Sequence, residues 1–150
     1  MAETKGLIES ISSALYRAFD LPVYVDFQRQ NAEFPCFFID RLTHGETQEL
    51  DRRYWRTNNF DILYFATRDG VDVDTLALGD IADLMARVLE YVAVAGEDGS
   101  SLIRGERMEW RVTDGVLHFL VSYDFHVLRP REREPEMETL DAKGRLKNGS

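Results

Sequence analysis

The stretch from Met108 to Leu128 constrains the fold more than any other part of the sequence. Asp114-Gly115 lies between two runs of alternating polarity, which is the strongest short-range signal of a β-hairpin. Because side chains alternate faces along a strand, the second run places one apolar set on a single face: Leu117, Phe119, Val121, Tyr123, Phe125 and Val127. We predict a long strand whose odd-numbered face lines the core. Ser122 lies on the opposite face, where its replacement by alanine is expected to cost little.

Two other segments repeat apolar residues at the spacing of an amphipathic helix. The first covers Lys5–Phe19, and the second runs from Ala77 to Val92 with Asp72 or Asp74 available as its cap. Each carries one apolar stripe and one polar face, so each is expected to pack on a sheet.

Three strands are predicted between these helices: Val23–Phe27, a strand from Cys36 towards Leu50, and Tyr54–Ala66. The second half of Tyr54–Ala66 is apolar on both faces, so it is either central in the sheet or covered on one face by another subunit. The order α-β-β-β-α-β-β predicts a single α+β domain in which two helices pack on a largely antiparallel sheet.

Composition narrows the class of protein further. The chain has 150 residues and one cysteine, which suits one domain with its own core and excludes an internal disulfide, as fits a reducing cytosol. No apolar run approaches the length that spans a bilayer, so no membrane partner is expected. We predict a folded domain over residues 1–130 and a charged, flexible C-terminal extension over residues 131–150.

The charge is acidic and unevenly distributed. The chain carries a net charge of −9, and the segment from Arg129 to Ser150 holds six basic and five acidic residues, so the part before it carries about −10. Phosphate backbones would be repelled by such a surface. Direct binding of nucleic acid is therefore not expected.

The histidines and the cysteine do not form a recognisable chemical site. His118 and His126 share a strand face but lie about 26 Å apart at about 3.3 Å per residue, too far to share a metal ion. Asp124 and His126 lie about 7 Å apart, which leaves room for a hydrogen bond but favours a solvated or interfacial polar pair. Cys36 is interpreted as a small buried apolar residue rather than a nucleophile.

Motifs of the common enzyme classes are also missing from the sequence. It contains no phosphate-binding glycine loop, dinucleotide pattern, zinc spacing or nucleophile elbow. We therefore predict no catalysis, no cofactor and no metal. Arg52, Arg53 and Arg56 form a basic patch beside Trp55, and the acidic surroundings favour a protein contact over nucleic acid there.

Several segments together resemble one known family, from about Phe34 to Arg129. It is the tail terminator family of tailed phages, prophages and phage-tail-like particles. The segments that carry the resemblance are Phe34–Ile39, Glu49–Tyr54, Phe60–Phe65, Asp114–Phe119 and Tyr123–Val127.

The resemblance implies a structural protein. It implies an α+β subunit that assembles as a ring, typically of six, caps the tail tube, stops its polymerisation and joins it to the head or neck. In a contractile tail the ring would also meet the sheath. The partners implied are copies of this chain, the tube protein and the head-neck connectors, and the location is the neck-proximal end of the virion tail after assembly in the bacterial cytoplasm.

The residues expected at the subunit or tube interface are polar or aromatic groups on the strands and their turns: Arg52, Arg53, Trp55, Arg56, His118, Asp124 and His126. Two other classes of protein stay open. One is a cytosolic adaptor or interaction module without catalysis, and the other is an enzyme whose site is shared between subunits. The mass in solution would separate a monomeric adaptor from a ring.

Overall fold

A seven-stranded sheet and two helices make up the fold in the computed structural model, which describes residues 4–26, 31–96 and 99–129. The predicted α+β class with a largely antiparallel sheet is confirmed. The expected flexible extension over residues 131–150 lies outside the described residues, so the boundary at residue 130 stays a prediction. The elements in chain order are α1 Thr4–Phe19, β1 Val23–Val25, β2 Cys36–Gln48, β3 Arg53–Phe65, α2 Thr75–Val88, β4 Tyr91–Gly96, β5 Gly99–Thr113, β6 Val116–Tyr123 and β7 Phe125–Leu128.

The strands follow the order β1-β2-β3-β6-β5-β4, and β7 pairs with β3 beyond the end of β6. Only β1 and β2 are parallel among the described pairs. β3 is central, because β2 lies on one side of it and β6 and β7 lie on the other. The sequence predicted that this strand is either central in the sheet or covered by another subunit, and the central position is confirmed.

Both apolar faces of β3 are covered within the subunit. Phe60 and Ile62 face the main core, where they meet the buried stripes of both helices, which include Leu7, Ile11, Leu78 and Met85. Phe65 faces the other way into a smaller cluster with Ala32, Cys36, Phe38 and Val116. Neither helix of the described ranges is long and apolar enough to cross a membrane.

The hairpin at Asp114-Gly115 is confirmed. Both residues have positive φ, +53° and +76°. This is the backbone conformation of the tight turns that join two antiparallel strands. The odd-numbered residues of β6 line the main core as predicted, and Leu117, Phe119 and Tyr123 are fully buried.

The opposite face of this strand differs from the prediction. Ser122 is only 2% exposed; its hydroxyl donates to Asp124 and accepts from Arg107. Ser122 therefore does not face solvent, and its replacement by alanine is instead expected to be destabilising, because two part-buried hydrogen bonds would be lost. The predicted single strand is also interrupted at Asp124, where β6 ends and β7 begins.

The second helix is shorter than predicted. Asp74 is its N-cap and accepts from the Leu76 amide at 3.0 Å, but the helix ends at Val88 instead of Val92. Val92 lies in β4 opposite Ile103 of β5 and is buried. A short apolar run fits a buried strand as well as a helix, so periodicity alone does not place this boundary.

Beyond the core, β2 and β3 continue as a projecting ribbon. Burial along β2 falls from Cys36–Ile39, which are buried, to Arg41–Gln48, which are exposed. A bulge at Leu42 shifts the register between these halves. We call the ribbon formed by residues 43–59, which include the turn between β2 and β3, and by β7 the arm.

Candidate functional site

The arm gathers five of the seven residues predicted at an interface: Arg52, Arg53, Trp55, Arg56 and His126. The turn between β2 and β3 places the first two at its tip, and β7 lies in register with β3 so that Trp55 and His126 are direct neighbours. Whether these residues contact another protein stays a prediction.

One face of the arm carries an aromatic and ionic cluster. The rings of Trp55 and His126 meet edge to face with centroids 4.6 Å apart. His126 Nε2 lies 2.9 Å from Glu49 Oε1, and both side chains are about half exposed. The sequence left room for a hydrogen bond between His126 and Asp124 without favouring one, and in the structure the partner of His126 is Glu49.

The other face of the arm, which continues the core side of the sheet, holds a cluster around Glu46. Arg56 donates to Glu46 Oε1 from Nε at 3.1 Å and from Nη2 at 2.7 Å. Arg129 also donates to Glu46, and its guanidinium lies 4.1 Å from the centroid of the Tyr54 ring. Glu46 and Arg129 were not among the predicted residues, because their contacts with Arg56 and Tyr54 depend on strand pairing and on the register that the Leu42 bulge sets.

These contacts leave Arg53 as the available cation of the predicted basic patch. Arg56 pairs with Glu46, and Arg52 Nε lies 4.0 Å from Asp51 Oδ2. Arg53 is exposed and forms no ion pair with the residues that the structure describes. An exposed cation without a partner can attract an acidic surface over about a Debye length.

Asp124 lies at the base of the arm and has a structural environment. Its side chain is 4% exposed. It accepts hydrogen bonds from Ser122 Oγ at 2.8 Å, from the backbone N–H of Asn58 at 3.3 Å and from Arg107 Nη2 at 3.0 Å. Asn58 Nδ2 in turn donates to the Tyr123 carbonyl. Asp124 is therefore not a solvated group, because its contacts join β6, β3 and β5; the interfacial alternative stays a prediction.

His118 lies away from the arm, in the middle of the main sheet. Its Nδ1 is 2.9 Å from Asp61 Oδ2, and the two side chains are 21% and 12% exposed. Its cross-strand neighbour on β5 is Arg111. The structure therefore does not bring His118 together with the other predicted interface residues.

Cys36 is buried, as predicted, at the start of β2. Burial raises the pKa of its thiol from 9.0 to about 11, although the nearby charge of Arg68 acts in the opposite direction. The thiolate that a nucleophile needs is therefore disfavoured at neutral pH. Within the described ranges, no group of three metal-ligating side chains occurs.

The raised pKa predicts a loss of stability in alkaline solution. The unfolded thiol releases its proton near pH 9.0, whereas the folded one keeps it until about pH 11. The contribution is fully present below pH 9.0 and is lost as the pH rises towards about 11. Urea unfolding between pH 8 and 11 should show a steeper decline for the wild type than for Cys36→Ala. Identical declines would contradict the burial of an unionised thiol.

Aromatic and arginine side chains, both of which the arm carries, are enriched in surfaces that contact other proteins. A family model described as "Phage tail terminator protein" matches residues 6–135. The chain therefore belongs to the phage tail terminator family, as the resemblance implied, and its role is that of a structural tail component. The match includes the N-terminal helix as well as the segments that carried the resemblance.

No curated protein matches the chain. Among the solved structures that match, one is similar over 86% of this chain and 94% of its own, with 11% sequence identity and a TM-score of 0.39.

Proposed function

We propose that this protein is the subunit of a ring that closes the end of a phage tail tube. The ring, of six copies, stops tube polymerisation and forms the joint to the head or neck at the neck-proximal end of the tail. In a contractile tail it also contacts the last layer of the sheath. Membership of the tail terminator family is the observation that carries this proposal.

The surface of the described residues supports contacts with copies of the same chain or with the tube. The exposed guanidinium of Arg53 stands at the tip of the arm, beside Leu50, which is 79% exposed. The part of the chain before Arg129 carries about −10, so a cation on the arm of one subunit finds acidic surface on another. Contact between unlike patches is head-to-tail, and such contacts build rings when the rotation closes.

The proposal predicts how the protein binds tubes. Purified protein mixed with tail tubes should appear by electron microscopy as a cap at one end and should arrest further growth of the tube. Binding along the sides of the tube, or continued growth of capped ends, would contradict the proposal.

A charge reversal tests the part assigned to Arg53. Arg53→Glu should weaken capping about tenfold at low salt, because an attraction is replaced by a repulsion. The difference should shrink as salt rises, since exposed charges are screened. Arg111→Glu is the matched control, because Arg111 is an exposed arginine on β5, away from the arm, and this variant should cap tubes like the wild type.

A further inference from the structure

The arm is a three-stranded ribbon with two open edges. β2 pairs with β1 only over Phe37–Ile39, and from Asp40 onward its described partner is β3 alone. β7 likewise pairs with β3 alone among the described strands. An open edge presents unpaired N–H and C=O groups that can pair with another chain.

Hydrogen bonds to β3 show which backbone groups face outward. The Glu49 amide donates to the Arg53 carbonyl at 2.9 Å, so alternation turns the backbone groups of His44, Glu46 and Gln48 away from β3. On the other side, the Arg129 amide donates to the Arg52 carbonyl at 3.0 Å.

The same alternation turns the backbone groups of His126 and Leu128 outward on β7. Each edge of the arm therefore offers a short row of donors and acceptors. Leu128, which is 58% exposed, lies on the β7 edge.

The two edges match in direction. β2 and β7 are both antiparallel to β3, so they run parallel to each other. When a second copy is related to the first by rotation about the axis of the ring, its β7 can lie beside β2 of the first copy with both strands running in the same direction. Within a subunit, Glu46 of the β2 edge contacts Arg129, and Glu49 contacts His126 of the β7 edge, so these side chains already have partners and the match between the edges lies in their backbone groups.

The edge at the far end of the main sheet is protected instead. There β4 is the outermost strand, and the Ser10 hydroxyl of α1 donates to the Ala93 carbonyl. A partner strand at β4 would have to displace α1, whereas neither edge of the arm is covered by a described helix.

We propose that the β2 edge of one subunit pairs with the β7 edge of a second copy, so that the arms join into one continuous sheet around the ring. The contact is heterologous and passes from copy to copy in one direction, as ring closure requires. This inference rests on the proposed function, since it names how the subunits of that ring are joined.

Paired cysteines test the contact directly. Thr47 and His126 flank Trp55 in one row of the arm, so within a subunit they lie two strand spacings apart, about 9.6 Å. A disulfide needs Cα atoms within about 7 Å and cannot form there. In neighbouring copies the same positions would lie on adjacent strands.

The variants are Thr47→Cys with His126→Cys, and Thr47→Cys with Leu128→Cys, which sample two registers. Mild oxidation of capped tubes should give a reducible ladder of linked subunits for at least one pair. Thr47→Cys with Thr113→Cys is the control, because Thr113 lies at the β5–β6 turn on another part of the sheet, and it should give no ladder. Cys36 is buried and stays outside the reaction.

A proline substitution gives a second, independent test. Leu128→Pro removes an amide that faces the open edge and keeps the bonds from Val127 and Arg129 to β3, whereas Leu128→Ala keeps every amide. Leu128→Pro should lower ring formation on tubes at least tenfold, while Leu128→Ala should assemble like the wild type. Thermal melts of both variants check that they fold.

The outcomes separate this inference from the proposed function. If the wild type caps tubes, yet neither cysteine pair links subunits and Leu128→Pro caps normally, the edge contact is overturned and the terminator function stands. Linkage to the tube protein instead of to a second copy would also overturn it. If the wild type does not cap tubes at all, the proposed function fails and the inference fails with it.

Discussion

Replacing Phe119 by alanine is expected to lower the free energy of unfolding by about 3–5 kcal/mol, the range for deleting a buried phenylalanine. Phe119 is fully buried in the main core. Its ring stacks on Trp110 with centroids 5.5 Å apart and planes 3° from parallel. The loss would be a large share of the roughly 5–15 kcal/mol that stabilises an ordinary domain.

Urea denaturation followed by circular dichroism measures this change. Leu102→Ala is the control, because Leu102 is 71% exposed on β5 and its truncation should change stability by less than about 0.5 kcal/mol. If Phe119→Ala proved neutral, the odd-numbered face of β6 would not be the core face.

Replacing Gly115 by alanine is expected to destabilise the protein by about 2–4 kcal/mol. Its φ of +76° is strained for a residue with a Cβ, which costs about 1–3 kcal/mol. A Cβ there would also overlap the carbonyl group of Gly70, whose own φ is +73°. The turn after β5 and the loop before α2 therefore touch backbone to backbone, and one of them would have to move.

Gly79→Ala is the matched control for that experiment. Gly79 lies inside α2, and a Cβ at this position would meet no atom within 4 Å. The variant should gain about 0.5–1 kcal/mol, because alanine loses less backbone entropy in a helix than glycine. Equal destabilisation by both variants would contradict the assigned contact between Gly115 and Gly70.

Local patterns predicted much of the fold. The Asp114-Gly115 turn and the odd-numbered face of β6 depend on neighbours in sequence, and both are confirmed. The predicted end of α2 was wrong. The apolar run from Leu89 to Val94 fits a helix as well as a strand, and only its pairing with β5 decides between them.

The candidate site was predicted less completely. Arg53 and Trp55 lie two residues apart on β3, so predicting this strand was enough to place them on the same part of the arm. The partners of Arg56 and His126 depend on non-local pairing, and a one-residue bulge at Leu42 decides which acids face them. The buried environment of Asp124 was not predicted either, because it also depends on non-local pairing: Arg107 and Asn58 donate to Asp124 from other strands.

The length of tails made without this protein tests the central claim most directly. Deletion of its gene should give tails of uncontrolled length and heads that remain unjoined, and a plasmid copy of the wild-type gene should restore tails of uniform length. Electron microscopy of lysates measures both features. Tails of normal length joined to heads in the deletion strain would contradict the terminator function.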